Sequence, residues 1–188
     1  PAIQGMLREG NLVSALNAIS ASTDGAQSRI AKLLASAIGS TKVEVTKNLV
    51  DENGDPVPGL YDPATNTIKL DADTGMTLHV LGHEVVHAAT SHVLANKLHP
   101  ATKQLMKLFE EVKPFLDSAY GATSLDEFVA EAFSNPEFQQ KLQGIIPSGS
   151  DTAWQRFANT VVNFVRKMLG MGPKSIGSAY DQADKIIS

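Results

Sequence analysis

A chain of 188 residues with a hydrophobic share of 43% is long enough to bury a core of its own, and with no cysteine it has no disulfide framework to lean on. The formal net charge of −4, with 16 Lys and Arg scattered along the chain, argues against nucleic acid as a direct partner. No apolar run approaches the ~20 residues of a membrane span, and any metal site has to be built from His, Asp and Glu.

In chain order, Ile3, Leu7, Leu12, Leu16 and Ile19 have loose helical spacing, and Gly5 and Gly10 interrupt it, so a helix or a helix pair is expected. Residues 24–38 carry a stripe of Ile30, Leu33, Leu34 and Ile38, with Gly39 as the stop. TKVEVTKNLV alternates at period two and predicts a strand. The breakers in DENGDPVPGLYDPATN exclude helix there and predict a hairpin or an extended loop, followed by a strand at Thr67 to Leu70. Helices are then expected at about 75–95, at 101–119 with a break near Pro114, at 124–134 and at 151–169, with a short turn from Pro136 to Leu142. GIIPSGSD reads as a linker, and the last residues as a Gly-rich joint with a short helix that needs something to dock on.

These elements predict an α+β fold, mostly helical, with a small sheet or hairpin ahead of a histidine-rich helix. The expected organisation is an N-terminal helical segment at 1–22, a main domain at 23–145 and a C-terminal helix with a docking tail at 146–188. The start at Pro1, with no basic segment leading into an apolar one, predicts an excised or processed fragment that belongs to a longer polypeptide.

The chemistry concentrates in LHVLGHEVVHAATSH, residues 78–92. Histidines four apart on a helix lie about 40° apart around its axis, so His83 and His87 can offer nitrogens to one tetrahedral cation. Glu84 points to the same side, and Leu78, Leu81 and Val85 fall on the opposite, packing side. A shuffled chain of this composition would contain His-Glu-x-x-His about once in 160 trials, which favours zinc over coincidence. Zinc lowers the pKa of a water it holds to about 7, and a carboxylate beside it can take the proton as that water attacks a carbonyl. Glu84 is placed for that role. His79 lies near His83 and is at most a supporting residue, His92 falls on the packing side, and His99 reads as a solvated imidazole at a helix end.

A catalytic zinc takes a third protein ligand. In TSLDEFVAEAFSNPEF, Leu125, Phe128, Val129, Ala132 and Phe133 make one face, and Glu127 and Glu131 share the other at i, i+4 spacing. Three readings stand side by side here. Glu127 is the ligand; or Ser124 and Glu127 form a capping box and Glu131 is the ligand; or both carboxylates, with Asp126, belong to the wet face of a surface helix.

His83-Glu84-Val85-Val86-His87 followed by Glu127-Phe128-Val129-Ala130-Glu131 resembles the gluzincin metallopeptidases. The resemblance implies Glu127 as the third zinc ligand, with Glu131 standing where that family has an Asp bracing a ligating histidine. TNTIKLD, VLGHEVVHAAT and DEFVAEAFSNPEFQQKL together look like the small His-Glu-x-x-His peptidase-like domains embedded in large polyvalent proteins of bacteriophages and mobile elements, and the resemblance covers about residues 24–142. It implies a zincin-like fold, a zinc-dependent endopeptidase acting on an extended peptide or protein, and a place in the virion or the bacterial cytoplasm. With a zincin-like fold, the strand at Thr67 to Leu70 should edge the substrate cleft, and Tyr120, or else Tyr61, would stabilise the oxyanion. The alternative is a zincin-fold structural module of a virion or large polyvalent protein without turnover, docking through the stripe Trp154, Phe157, Val161, Phe164, Val165 and Met168.

Overall fold

The computed structural model describes residues 2–22, 32, 35 and 37–168. The expected helix at 24–38, with Ile30, Leu33 and Leu34, lies almost wholly outside the described residues, as do the C-terminal tail from 169 on and the side chains of Phe164, Val165 and Met168. Gly39 has the left-handed backbone expected of it, φ 49°. The chain divides into two compact units, Pro1–His92 and Val93–Ser188.

In the first unit, Gly10 (φ 76°) separates α1 (Ala2–Arg8) from α2 (Leu12–Ser22), the pair alternative of the sequence reading. Leu7, Leu12, Ala15, Leu16 and Ile19 are buried, and α1 packs against α2 and β1, so residues 2–22 share this unit's core instead of standing apart from it. The alternation after Gly39 forms β1 (Lys42–Thr46). The turn-rich segment then folds on itself. Asp51 Oδ1 accepts the Asn53 and Asp55 N–H groups, and an isolated bridge joins Val50 to Pro56. After it comes a strand that the breakers hide, β2 (Gly59–Asp62). Asp62 organises the next turn by accepting from Ala64 N and Thr65 Oγ1, Asn66 turns left-handed at φ 50°, and β3 (Thr67–Asp71) follows.

The sheet order is β1-β3-β2, with β3 parallel to β1 and antiparallel to β2. Val43 pairs with Ile68 and Gly59 with Leu70. The strand expected to edge a substrate cleft is therefore the central one: both of its sides are already hydrogen-bonded, and a peptide can add only to β1 or β2. From β3 a short turn leads into α3 (Leu78–Ala95), which carries the histidines and crosses the division between the units at His92.

The second unit is helical: α4 (Pro100–Val112), a 3₁₀ turn at Lys113–Phe115 where Pro114 breaks the pattern, a second at Tyr120–Ala122, α5 (Leu125–Ser134), α6 (Pro136–Gln143) and α7 (Ala153–Met168). The segment expected as a turn from Pro136 is a true helix, because Asn135 accepts from both Glu137 N and Phe138 N and Pro136 occupies its first turn. Phe128 is the hub of the core, its ring centroid 5.4 Å from Phe109, 5.9 Å from Phe138 and 6.0 Å from Phe157. Trp154 stacks on Phe157, and Val161 is buried beside them in sequence on α7. The described part of the stripe expected to dock on a partner is thus core, and residues 153–168 pack on α4 and α6. Overall the architecture is α+β, and among the described residues no helix is long and apolar enough to cross a membrane.

Candidate metal centre

The histidine helix is started by a turn that the sequence reading passes over. Asp71, the last residue of β3, accepts Leu49 N on Oδ2, and on Oδ1 it accepts Asp73 N, Thr74 N and Thr74 Oγ1. These donors, the Leu49 N–H foremost, favour the ionised carboxylate and hold its pKa down at about 2. Gly75 folds so closely beneath it that Gly75 N donates to Asp71 O at 2.9 Å, while Asp71 N donates to Pro58 O at 2.9 Å. Thr77 then caps α3, with Oγ1 accepting from Val80 N.

Along α3 the two motif histidines converge. His83 Nε2 and His87 Nε2 lie 3.1 Å apart and the rings meet edge to face. His83 is 8% exposed, His87 half-buried and Glu84 7% exposed, while Leu81 and Val85 are fully buried. Leu78 departs from the expected packing side: it is 54% exposed, being the first residue of the helix. His92 is also exposed and packs nothing away, because α3 is near its end there. His79 is exposed, with its ring 6.2 Å from that of His83. Glu84 lies against the first residue of β2: a Cβ added to Gly59 would come within 2.9 Å of Glu84 Oε1.

In the second unit, Ser124 caps α5 by accepting Glu127 N at 3.2 Å, which is one half of the anticipated capping box. Glu127 is half-buried and Asp126 exposed. Glu131 overturns the surface-helix reading, since it is 6% exposed in a run of buried residues from Phe128 to Ala132. Its Oε2 accepts from Asn135 Nδ2 at 2.7 Å. The same Asn135 amide caps the start of α6 through its oxygen. Tyr120 sits in the 3₁₀ turn beside α5 and is 60% exposed, whereas the Tyr61 hydroxyl of the first unit donates to Asn66 Oδ1. His99 is no loosely solvated imidazole: its Nδ1 accepts Ala101 N and caps α4.

The donors suit a borderline metal ion. Two nitrogens held at ~2.0–2.1 Å from one tetrahedral zinc stand about 3.3 Å apart, close to the observed 3.1 Å between the imidazole nitrogens. Imidazole pairs of this kind with a carboxylate make the donor set of catalytic zinc, which leaves a position for water. No protein-family model, curated protein or solved structure matches the chain. Function is therefore argued from the site. Gly59 enters the sequence only as a breaker, and Asp71 and Gly75 carry no motif; what escapes is the approach of Pro58 and Leu49 to Asp71, and of Gly59 to Val80 and Glu84. The Thr-Gly pair at the end of a strand is the one local signal for any of them.

Proposed function

We propose that this protein is a zinc-dependent endopeptidase of zincin-like fold, in which His83, His87 and Glu127 hold the metal and Glu84 moves the proton. The observation that carries this reading is the convergence of the His83 and His87 Nε2 atoms at zinc-ligand spacing, with a buried carboxylate next in sequence. Glu127 is preferred to Glu131 as the third ligand on the resemblance to the gluzincin metallopeptidases, and Glu131 Oε2 accepts from Asn135 Nδ2.

Bound by these residues, zinc supplies Lewis acidity, polarising a carbonyl and acidifying a water. Glu84 accepts the proton released as the scissile carbonyl is attacked and returns it to the leaving amine. Its burial keeps it from bulk water between the two transfers. Tyr120, 60% exposed in the 3₁₀ turn ahead of α5, is the oxyanion donor we assign.

The substrate is an extended peptide, and the strand that receives it is β2, not β3. Antiparallel ladders alternate bonded and non-bonded pairs. The Asp71 N to Pro58 O bond sets that phase, so Leu60 bonds to Lys69 while Gly59 and Tyr61 turn their N–H and C=O away from β3. Those outward groups can pair with a peptide beside Glu84. The resemblance to domains of phage and mobile-element polyvalent proteins makes a polyprotein or a host protein the substrate, in the virion or the bacterial cytoplasm. The alternative, a structural module without turnover, would not dock through Trp154, Phe157 or Val161, which are buried.

Purified protein should bind about one zinc per chain and cleave an unstructured protein substrate, and a chelator should stop it. Glu84→Gln should keep the metal and lose ~10²- to 10⁴-fold in rate. Absence of bound metal after zinc reconstitution would sink the proposal.

A further inference from the structure

Gly59 stands where a side chain has no room. It is the first residue of β2 and its backbone is extended, so the left-handed conformations that favour glycine do not explain it. Space does. A Cβ built at Gly59 would lie 2.7 Å from Val80 Cγ1, 2.8 Å from Glu84 Cγ and 2.9 Å from Glu84 Oε1. Val80 and Glu84 are four residues apart on α3 and share a face, so β2 lies against one ridge of that helix. Gly59 faces Leu70 across the sheet, and Leu70 is fully buried, which leaves the strand no freedom to retreat toward β3.

Resting on the reading of Glu84 as the proton carrier, we propose that Gly59 is its positioning residue. A glutamate has three rotatable side-chain bonds and would sample several rotamers beside an open surface. Here the bare main chain of β2 closes one side of the carboxylate and Val80 flanks it along the helix, so the side chain is confined before any substrate arrives. The same absence of a Cβ lets the outward N–H and C=O of Gly59 reach the level of the carboxylate. One glycine thus sets both the proton carrier and the adjacent stretch of the substrate-pairing edge.

Any larger residue at 59 breaks this arrangement in a calculable way. Carbon needs ~3.3–3.6 Å from an oxygen and ~3.5–4.0 Å from another carbon, so the deficit is about 0.4–0.7 Å against Glu84 Oε1 and about 0.7–1.3 Å against the two carbons. The atoms in the way are side-chain atoms, and the carboxylate end is the most easily moved. Misplacing a reacting group by ~1 Å costs about 100-fold in rate.

The test is Gly59→Ala, read in two ways. Steady-state kinetics on a protein substrate that the wild type cleaves should show kcat reduced by about 100-fold, with KM and zinc affinity within about threefold of wild type. A crystal structure of the variant should show Glu84 Oε1 displaced by at least about 0.5 Å. If Gly59→Ala folds poorly, the double variant Gly59→Ala/Val80→Ala, which removes one of the three clashes, should recover stability without recovering kcat. A kcat within about twofold of wild type, or an unmoved Glu84, overturns the proposal. A wild type that cleaves nothing overturns the peptidase reading instead, and the crystallographic displacement then decides for or against Gly59 alone.

Discussion

Gly75→Ala should be among the most damaging methyl additions this chain can receive. The new Cβ would overlap the Pro58 carbonyl oxygen and stand 2.6 Å from Asp71 N and 2.9 Å from Asp71 O. All three are backbone atoms. Pro58 O and Asp71 N are partners in one hydrogen bond, and Asp71 O accepts from Gly75 N, so the clash cannot be relieved by turning a side chain. Overpacking alone costs ~1–3 kcal/mol, and each buried hydrogen bond pulled apart costs a further ~1–3 kcal/mol. With two such bonds at stake, the loss is about 3–9 kcal/mol, against a total stability of ~5–15 kcal/mol for a domain. In urea, followed by far-UV circular dichroism, the midpoint should fall by about 3 M for a slope of ~1–3 kcal/mol/M. Zinc affinity should fall with it, because this turn sets the start of α3. Gly5→Ala is the matched control: nothing lies within 4 Å of its Cβ position and the residue is inside α1, so stability should rise by about 0.5–1 kcal/mol. A Gly75→Ala midpoint within about 0.3 M of wild type would refute the reasoning.

Removing the aromatic hub by Phe128→Ala should destabilise the protein by ~3–5 kcal/mol in chemical denaturation, and Phe128→Leu by clearly less; equal losses would count against the ring contacts. Glu127→Ala should weaken zinc binding in calorimetric titration far more than Glu131→Gln does, and equal mild losses would remove both from the ligand set. Arg156 Nη1 and Ser148 Oγ both donate to Glu111 Oε2, and these hydrogen bonds, Arg156 first, hold the Glu111 pKa at about 2. Because that pKa is depressed in the folded state, the stabilisation is complete above the ordinary value of 4.5 and fades as pH falls toward 2. The Tm gap between wild type and Arg156→Met should therefore close between pH 4.5 and 2. A gap that stays constant over this range would show that packing, not charge, holds this contact.

The parts of this protein legible in its sequence are those whose cause is local. The alternation at 41–46 gives β1, and Gly10 splits the first helix. His83 and His87 meet because four residues make one helical turn, whatever else surrounds them. The parts that escape depend on what arrives from elsewhere. Gly59 to Asp62 carries no alternation and follows two prolines, yet it is a strand because β3 offers it a partner. Glu131 looks like a solvent-facing residue on a helical wheel, and its burial comes from the Tyr120–Ala122 turn and the helices packed on α5. The division between the compact units at His92 falls inside a continuous helix, where nothing in the composition marks it.

The amide of Asn135 joins two helices with opposite demands. Its NH₂ must give to the carboxylate of the helix behind, and its oxygen must receive from the backbone of the helix ahead. Aspartate would still cap α6 but would set one anion against another, and serine is too short to serve both ends. The joint therefore works as a polarity key that only a side chain with unlike ends can turn. Asn135→Asp, a change of one atom in shape, should remove the hydrogen bond to Glu131 Oε2 and loosen the angle between α5 and α6.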